Sequence, residues 1–248
     1  MENQPSMTAE TSELLADVEA AIDCNNIGVQ LLRAGKFRES LETLKMAAIL
    51  MHPVSKVFDN WSHLITLDND SSSGTSTQPP TPSDRDQILF EARKRLSHIP
   101  IHSENVILEN DTCADPLLID SLTAVKDTEC CQLEAATMAY NIGLNYQLLD
   151  TAPYIKRAIC VYDMAFSLAL SAGLSSLTAL NVAIACLNNS GVIYFSLAKY
   201  PETRQCMDTL SIYINQLPLC TAERSAAEKR RLLLNARLLN EPKNAGAA

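Results

Sequence analysis

A chain of 248 residues with 47% hydrophobic side chains is long enough to fill one sizeable core, while seven glycines and 5% aromatics suit helices packed through small residues better than a sandwich or barrel. Net charge is −9, and residues 221–248 carry six basic groups against three glutamates, so the rest of the chain carries −12 and repels phosphate backbones, which argues against general nucleic-acid binding. Eight scattered cysteines without a Cys-x-x-Cys spacing, and a start (Met-Glu-Asn-Gln-Pro) without the basic and apolar regions of a signal peptide, lead to the expectation of a cytoplasmic protein with reduced thiols, no structural metal and no membrane span.

In chain order, Thr8 is placed to cap a first helix in which Leu14, Val18, Ala21 and Ile22 recur at helical spacing, and Gly35 supplies the left-handed residue that ends it. A second helix spans Phe37–Met51, with Phe37, Leu41, Leu44, Ala48 and Met51 on one face, and stops before Pro53. Val57–Leu67, with the only tryptophan, Trp61, reads as a short further helix. Residues 68–86 contain no apolar side chain beyond prolines and are expected to form a disordered acidic Ser/Thr/Pro loop, in which Thr81-Pro82 is a candidate phosphorylation site and plain spacer the simpler reading.

Gln87–Ser97 reads as a short helix, residues 97–110 as a small β-hairpin, and Asp111–Leu122 as irregular. Helix resumes near Asp127, and Tyr154–Ala172, ended by Gly173, is its partner. A third pair covers Ser175–Leu197 and Pro201–Gln216, and the amphipathic stretch within 221–240 reads as a capping helix.

One pattern returns three times: Asn25-Asn26-Ile27-Gly28, Tyr140-Asn141-Ile142-Gly143 and Asn188-Asn189-Ser190-Gly191. Leu31, Tyr146 or Tyr194 follows each glycine by three residues, and Phe37 and Tyr200 open the next helix nine residues on. Ala47 and Ala165 allow close approach in the second helices, with Leu44 and Tyr162 filling the seam. At these residues the chain resembles the tetratricopeptide-repeat family, in a divergent form of about three units over some two thirds of its length. The resemblance implies an all-α fold, a single domain (1–248) of antiparallel helix hairpins stacked into a superhelix, with a concave groove that binds a peptide or partner protein.

By that resemblance the groove is lined by the stripe beside each glycine: Ile22, Asn25, Val29 and Leu32; Tyr140, Leu144 and Gln147; Asn188, Val192 and Phe195. Asparagine both donates and accepts, so Asn25 and Asn188 suit an extended backbone, although packing against neighbouring helices accounts for them equally well. Lysine and arginine, which some family members use to clamp a C-terminal carboxylate, are missing from the stripe.

All four histidines lie between residues 52 and 102, away from the best-patterned helices, and no glycine-rich phosphate loop is present, so a non-enzymatic role without a cofactor is expected. The leading expectation is a cytoplasmic interaction scaffold. Alternatives are a small-molecule binder or enzyme with a pocket at the insertion, and a self-associating structural subunit.

Overall fold

The computed structural model describes residues 9–51, 81–98, 115–119, 131–216 and 223–240. All regular structure among them is helical: α1 (Ala9–Arg33), α2 (Phe37–Met51), α3 (Pro82–Ser97), α4 (Gln132–Leu148), α5 (Ala152–Ala172), α6 (Leu177–Ser196), α7 (Tyr200–Gln216) and α8 (Glu223–Asn240). The possible helix at Val57–Leu67, residues 68–80 of the expected loop and residues 99–110 of the expected hairpin lie outside the described residues.

Three helix pairs, α1–α2, α4–α5 and α6–α7, are each joined by a three-residue connection. Each connection contains one left-handed residue, seven positions beyond the repeated glycine: Gly35 (φ 72°), Asp150 (φ 44°) and Ala198 (φ 57°). At the first and third, paired backbone bonds close the helix end, Lys36 N–H donating to Leu31 O and Gly35 N–H to Leu32 O, as Lys199 N–H does to Tyr194 O and Ala198 N–H to Phe195 O. Glycine takes this conformation without steric cost, whereas alanine at 198 is strained by about 1–2 kcal/mol.

The repeated glycines sit at the seams within the pairs. A methyl group on Gly28 would lie 2.7 Å from Leu44, one on Gly143 2.8 Å from the Tyr162 ring, and one on Gly191 2.0 Å from the end of Met207. Ala47, Ala165 and Leu210, three residues beyond these partners, are buried in the same seams. Tyr162 comes ten residues after the start of α5, where Leu44 and Met207 come seven after theirs. The extra residues of the middle unit therefore lengthen the start of α5 and leave its connection as short as the others.

Neighbouring pairs pack through α2 on α4 and through α5 on α6, and α8 covers α7 and α6. Polar links through buried side chains join the helices within and between pairs. Asn145 on α4 donates to Ser40 Oγ on α2 (2.7 Å), which donates to Gly28 O on α1 (2.7 Å). Tyr162 donates to Gln147 Oε1 (2.7 Å) and accepts from Asn189 (3.1 Å), tying α5 to α4 and α6.

α3 begins earlier than its apolar spacing indicates, so residues 82–86 belong to a helix and not to the acidic loop. Thr81 accepts from Asp84 N–H, the Asp84 carboxylate accepts from Thr81 N–H (2.9 Å), and Pro82 occupies the first turn, where its missing N–H costs nothing. The helix lies across α1 and α2, with Arg85 on Asp17 (3.1 Å), Arg93 on Asp23 (3.3 Å) and Arg95 on Glu42 (3.0 Å). Burial raises the Asp17 carboxyl above its ordinary range, against the pull of Arg85.

The expectation that no stretch is long and apolar enough to cross a bilayer is corrected by α6, which meets that test by length and composition. Two thirds of its apolar window is buried in the protein, and Asn188, Asn189 and Ser190 interrupt it, as befits the central helix of a core.

Gly143→Ala drives a methyl into the buried Tyr162 ring and is expected to cost about 1–3 kcal/mol, less about 1 kcal/mol regained in helix propensity. Gly191→Ala meets the flexible end of Met207 and costs less, while Ala198→Gly stabilises by about 1 kcal/mol. Urea unfolding midpoints should order the proteins that way; a Gly143→Ala midpoint above wild type would contradict a closed seam.

Candidate peptide-binding site

An extended backbone presents the N–H and C=O of one residue on the same edge, and those of the next residue on the opposite edge. A primary amide carries a donor and an acceptor side by side, so an asparagine side chain can pair with one such residue as a neighbouring strand would. The structure contains two of these pairings in succession. Residues 115–119, Asp-Pro-Leu-Leu-Ile, lie extended against α1 and α4.

Leu117 N–H donates to Asn141 Oδ1 (2.8 Å), and Asn141 Nδ2 donates back to Leu117 O (2.8 Å). Two residues on, Ile119 N–H donates to Asn26 Oδ1 (3.0 Å) and Asn26 Nδ2 to Ile119 O (2.8 Å). Upstream, Arg33 donates to Pro116 O (3.3 Å) and the Tyr140 hydroxyl to Asp115 O (3.3 Å). Asn25 aligns the two clamps: its Oδ1 accepts the second hydrogen of Asn141 Nδ2 (2.9 Å), and its Nδ2 donates to Asn26 Oδ1 (3.2 Å).

Side chains follow the same alternation. Leu117 and Ile119 pack against the core, Leu118 between them is 48% exposed, and Pro116 is buried. Proline suits its position because only its carbonyl is used, and its ring restricts the neighbouring residue to extended conformations.

The expected stripe is present, but the chain itself covers most of it. Ile22, Asn25, Val29 and Leu32 on α1, Tyr140 and Leu144 on α4, and Asn188 on α6 are buried; Gln147, Val192 and Phe195 are half-buried. Asn25 and Tyr140 reach the chain's own extended segment, Tyr140 through its hydroxyl and Asn25 mainly by orienting Asn141. Asn188 does not, because Asn235 of α8 donates to its Oδ1 (3.1 Å). The principal clamps, Asn26 and Asn141, were not among the expected residues. They stand one residue further along the helix, at the position that is asparagine in all three units, with Asn189 as the third. Thr81 lies elsewhere, at the start of α3.

Burial pushes the thiols of Cys24 and Cys206 up to about 12 and about 11, so both are protonated at neutral pH. A cleft of about 200 Å³ lies among the described residues between Leu31, Lys36, Glu39, Arg95 and His98, and Arg95 in it is already engaged by Glu42. At the α2–α4 junction, Lys45 and Arg157 both stand over the Tyr146 ring, Lys45 Nζ at 5.6 Å and the Arg157 guanidinium at 6.0 Å, and Arg157 also lies 5.6 Å from the ring of Tyr154. Burial, and secondarily the charge of Arg157, lowers the Lys45 amine to about 8.

No family model matches this chain, and no curated protein or solved structure matches it either.

Two measurements probe these environments. Asn141→Ala leaves Leu117 N–H without its partner and Leu117 O with only the longer bond from Asn25 Nδ2 (3.5 Å), and should cost about 1–3 kcal/mol in urea unfolding, whereas Asn26→Ala, at the less enclosed end, costs less. Across pH 8 to 10.5 the unfolded chain keeps the Lys45 proton that the folded chain sheds, so the contribution of Lys45 to stability rises with pH through that window and is lost as pH falls through about 8. Lys45→Met should flatten that rise in thermal unfolding; an unchanged pH profile would contradict a buried amine.

Proposed function

We propose that this chain is a cytoplasmic, non-enzymatic interaction scaffold, a divergent tetratricopeptide-like array of about three helix pairs whose inner face binds an extended peptide of a partner protein. The single observation that carries this reading is the pairing of Asn26 and Asn141 with alternate peptide groups of one extended segment. Such pairings read backbone geometry and leave sequence preference to the intervening side-chain contacts, which is how strand-adding recognition sites divide affinity from specificity.

The order of the helix pairs supports the same reading. Repeated glycines hold each pair closed, the pairs follow one another in sequence order, and the stripe beside the glycines runs across α1, α4 and α6. Such stacking leaves a continuous surface along one side of an array, and that surface is where repeat proteins of this kind bind. The half-buried Gln147, Val192 and Phe195 continue the stripe beyond the segment.

A display library of random ten-residue peptides, selected on the immobilised full-length protein and then equipped with a photo-crosslinker, tests the reading. Selected peptides should crosslink to the stripe on α1, α4 or α6. Failure to select any peptide, or crosslinks confined to the outer helices α2, α5 and α7, would contradict it.

A further inference from the structure

Building on the scaffold reading, we infer that residues 115–119 are a resident ligand, and that the partner is a peptide of the same chemistry, Pro-Φ-x-Φ with Φ a branched apolar residue, which takes over the Asn26 and Asn141 clamps when the segment leaves. Each element of that pattern has a contact behind it. Residues Φ must keep their N–H, because Leu117 and Ile119 donate to Asn141 and Asn26. They must be apolar, because both pack on the core. The residue between them is unrestricted, since Leu118 turns half its surface to solvent. Proline fits before the first Φ because Arg33 takes only its carbonyl. Of the eleven prolines in the chain, Pro116 alone is followed by branched apolar residues at both the first and third positions.

Exchange is compatible with the rest of the fold. The seams at Gly28, Gly143 and Gly191, and the links through Ser40–Asn145 and Tyr162, are made without any atom of residues 115–119. In sequence the segment stands 17 residues beyond α3 and 12 before α4, and even the shorter of these stretches has a contour length of about 40 Å. What remains behind is an ordered row of donors and acceptors, with Asn25 still joined to Asn26 and Asn141. Tethered in the same chain, the segment competes at a high effective concentration, so a partner binds with an affinity reduced by the fraction of molecules whose site is open.

The test uses full-length protein and a fluorescein-labelled peptide with the sequence of residues 115–120, Asp-Pro-Leu-Leu-Ile-Asp, followed by anisotropy. In the double variant Leu117→Pro/Ile119→Pro the resident segment loses both N–H donors. It should bind the peptide about tenfold or more tighter than wild type. Adding Asn141→Ala should abolish that gain, and a peptide with proline at both Φ positions should fail to bind. A double variant that keeps its helical circular dichroism but binds no better than wild type overturns the inference. A double variant that loses its helical signal also overturns it, because residues 115–119 would then be a permanent strap. Display-selected peptides that crosslink to the stripe yet bind wild type and the double variant equally would remove this inference and leave the scaffold reading standing.

Discussion

A peptide group laid against the side of a helix cannot use that helix's own backbone, whose N–H and C=O groups are spent on each other. Bringing an extended segment into contact with α1 and α4 therefore requires side chains that supply both a donor and an acceptor at each buried peptide group. Asn26 and Asn141 meet that requirement, and they meet it at residues 117 and 119, the spacing at which an extended chain turns the same edge inward. A lysine at these positions would supply donors only. The primary amide carries its donor and its acceptor on two adjacent atoms, so both bonds to one peptide residue can form side by side.

The clamps are useful only because α1 and α4 are held at the right separation, and small residues do that. At Gly28 and Gly143 the missing side chain is replaced by Leu44 and Tyr162 from the second helix of the pair. The same absence leaves the Gly28 carbonyl within reach of Ser40, through which Asn145 joins one pair to the next. Tyr162 combines the two tasks, its ring closing the Gly143 seam and its hydroxyl reaching Gln147 and Asn189. Buried networks of this kind specify one arrangement of helices strongly, because any slip strands polar groups away from water.

The helix pairs were legible in the sequence because glycine, apolar spacing and helix-ending residues act locally. Gly28, Gly143 and Gly191 mark seams as expected, and the apolar runs locate α2 and α4 through α8 to within a few residues at most boundaries. The start of α3 was hidden because Pro82, Ser83, Asp84 and Asp86 look like loop composition, and only the Thr81–Asp84 capping pair turns them into a helical first turn. The site was half legible. Asn25 and Tyr140 follow from the stripe, but the two clamps lie one residue beyond it, roughly 100° round the helix, where sequence signals nothing except the threefold recurrence of asparagine. That residues 115–119 would fill the site was beyond local reasoning, because it depends on pairing the segment with residues 24 positions away at Asn141 and 93 away at Asn26.

Residue-resolved amide hydrogen exchange measures the central pairing most directly. Leu117 and Ile119 N–H should exchange slowly and Leu118 N–H, on the opposite edge of the extended chain, quickly, with the protection of Leu117 disappearing in Asn141→Ala. Equal, fast exchange at all three residues in the folded wild-type protein would contradict the clamp and the functional account built on it.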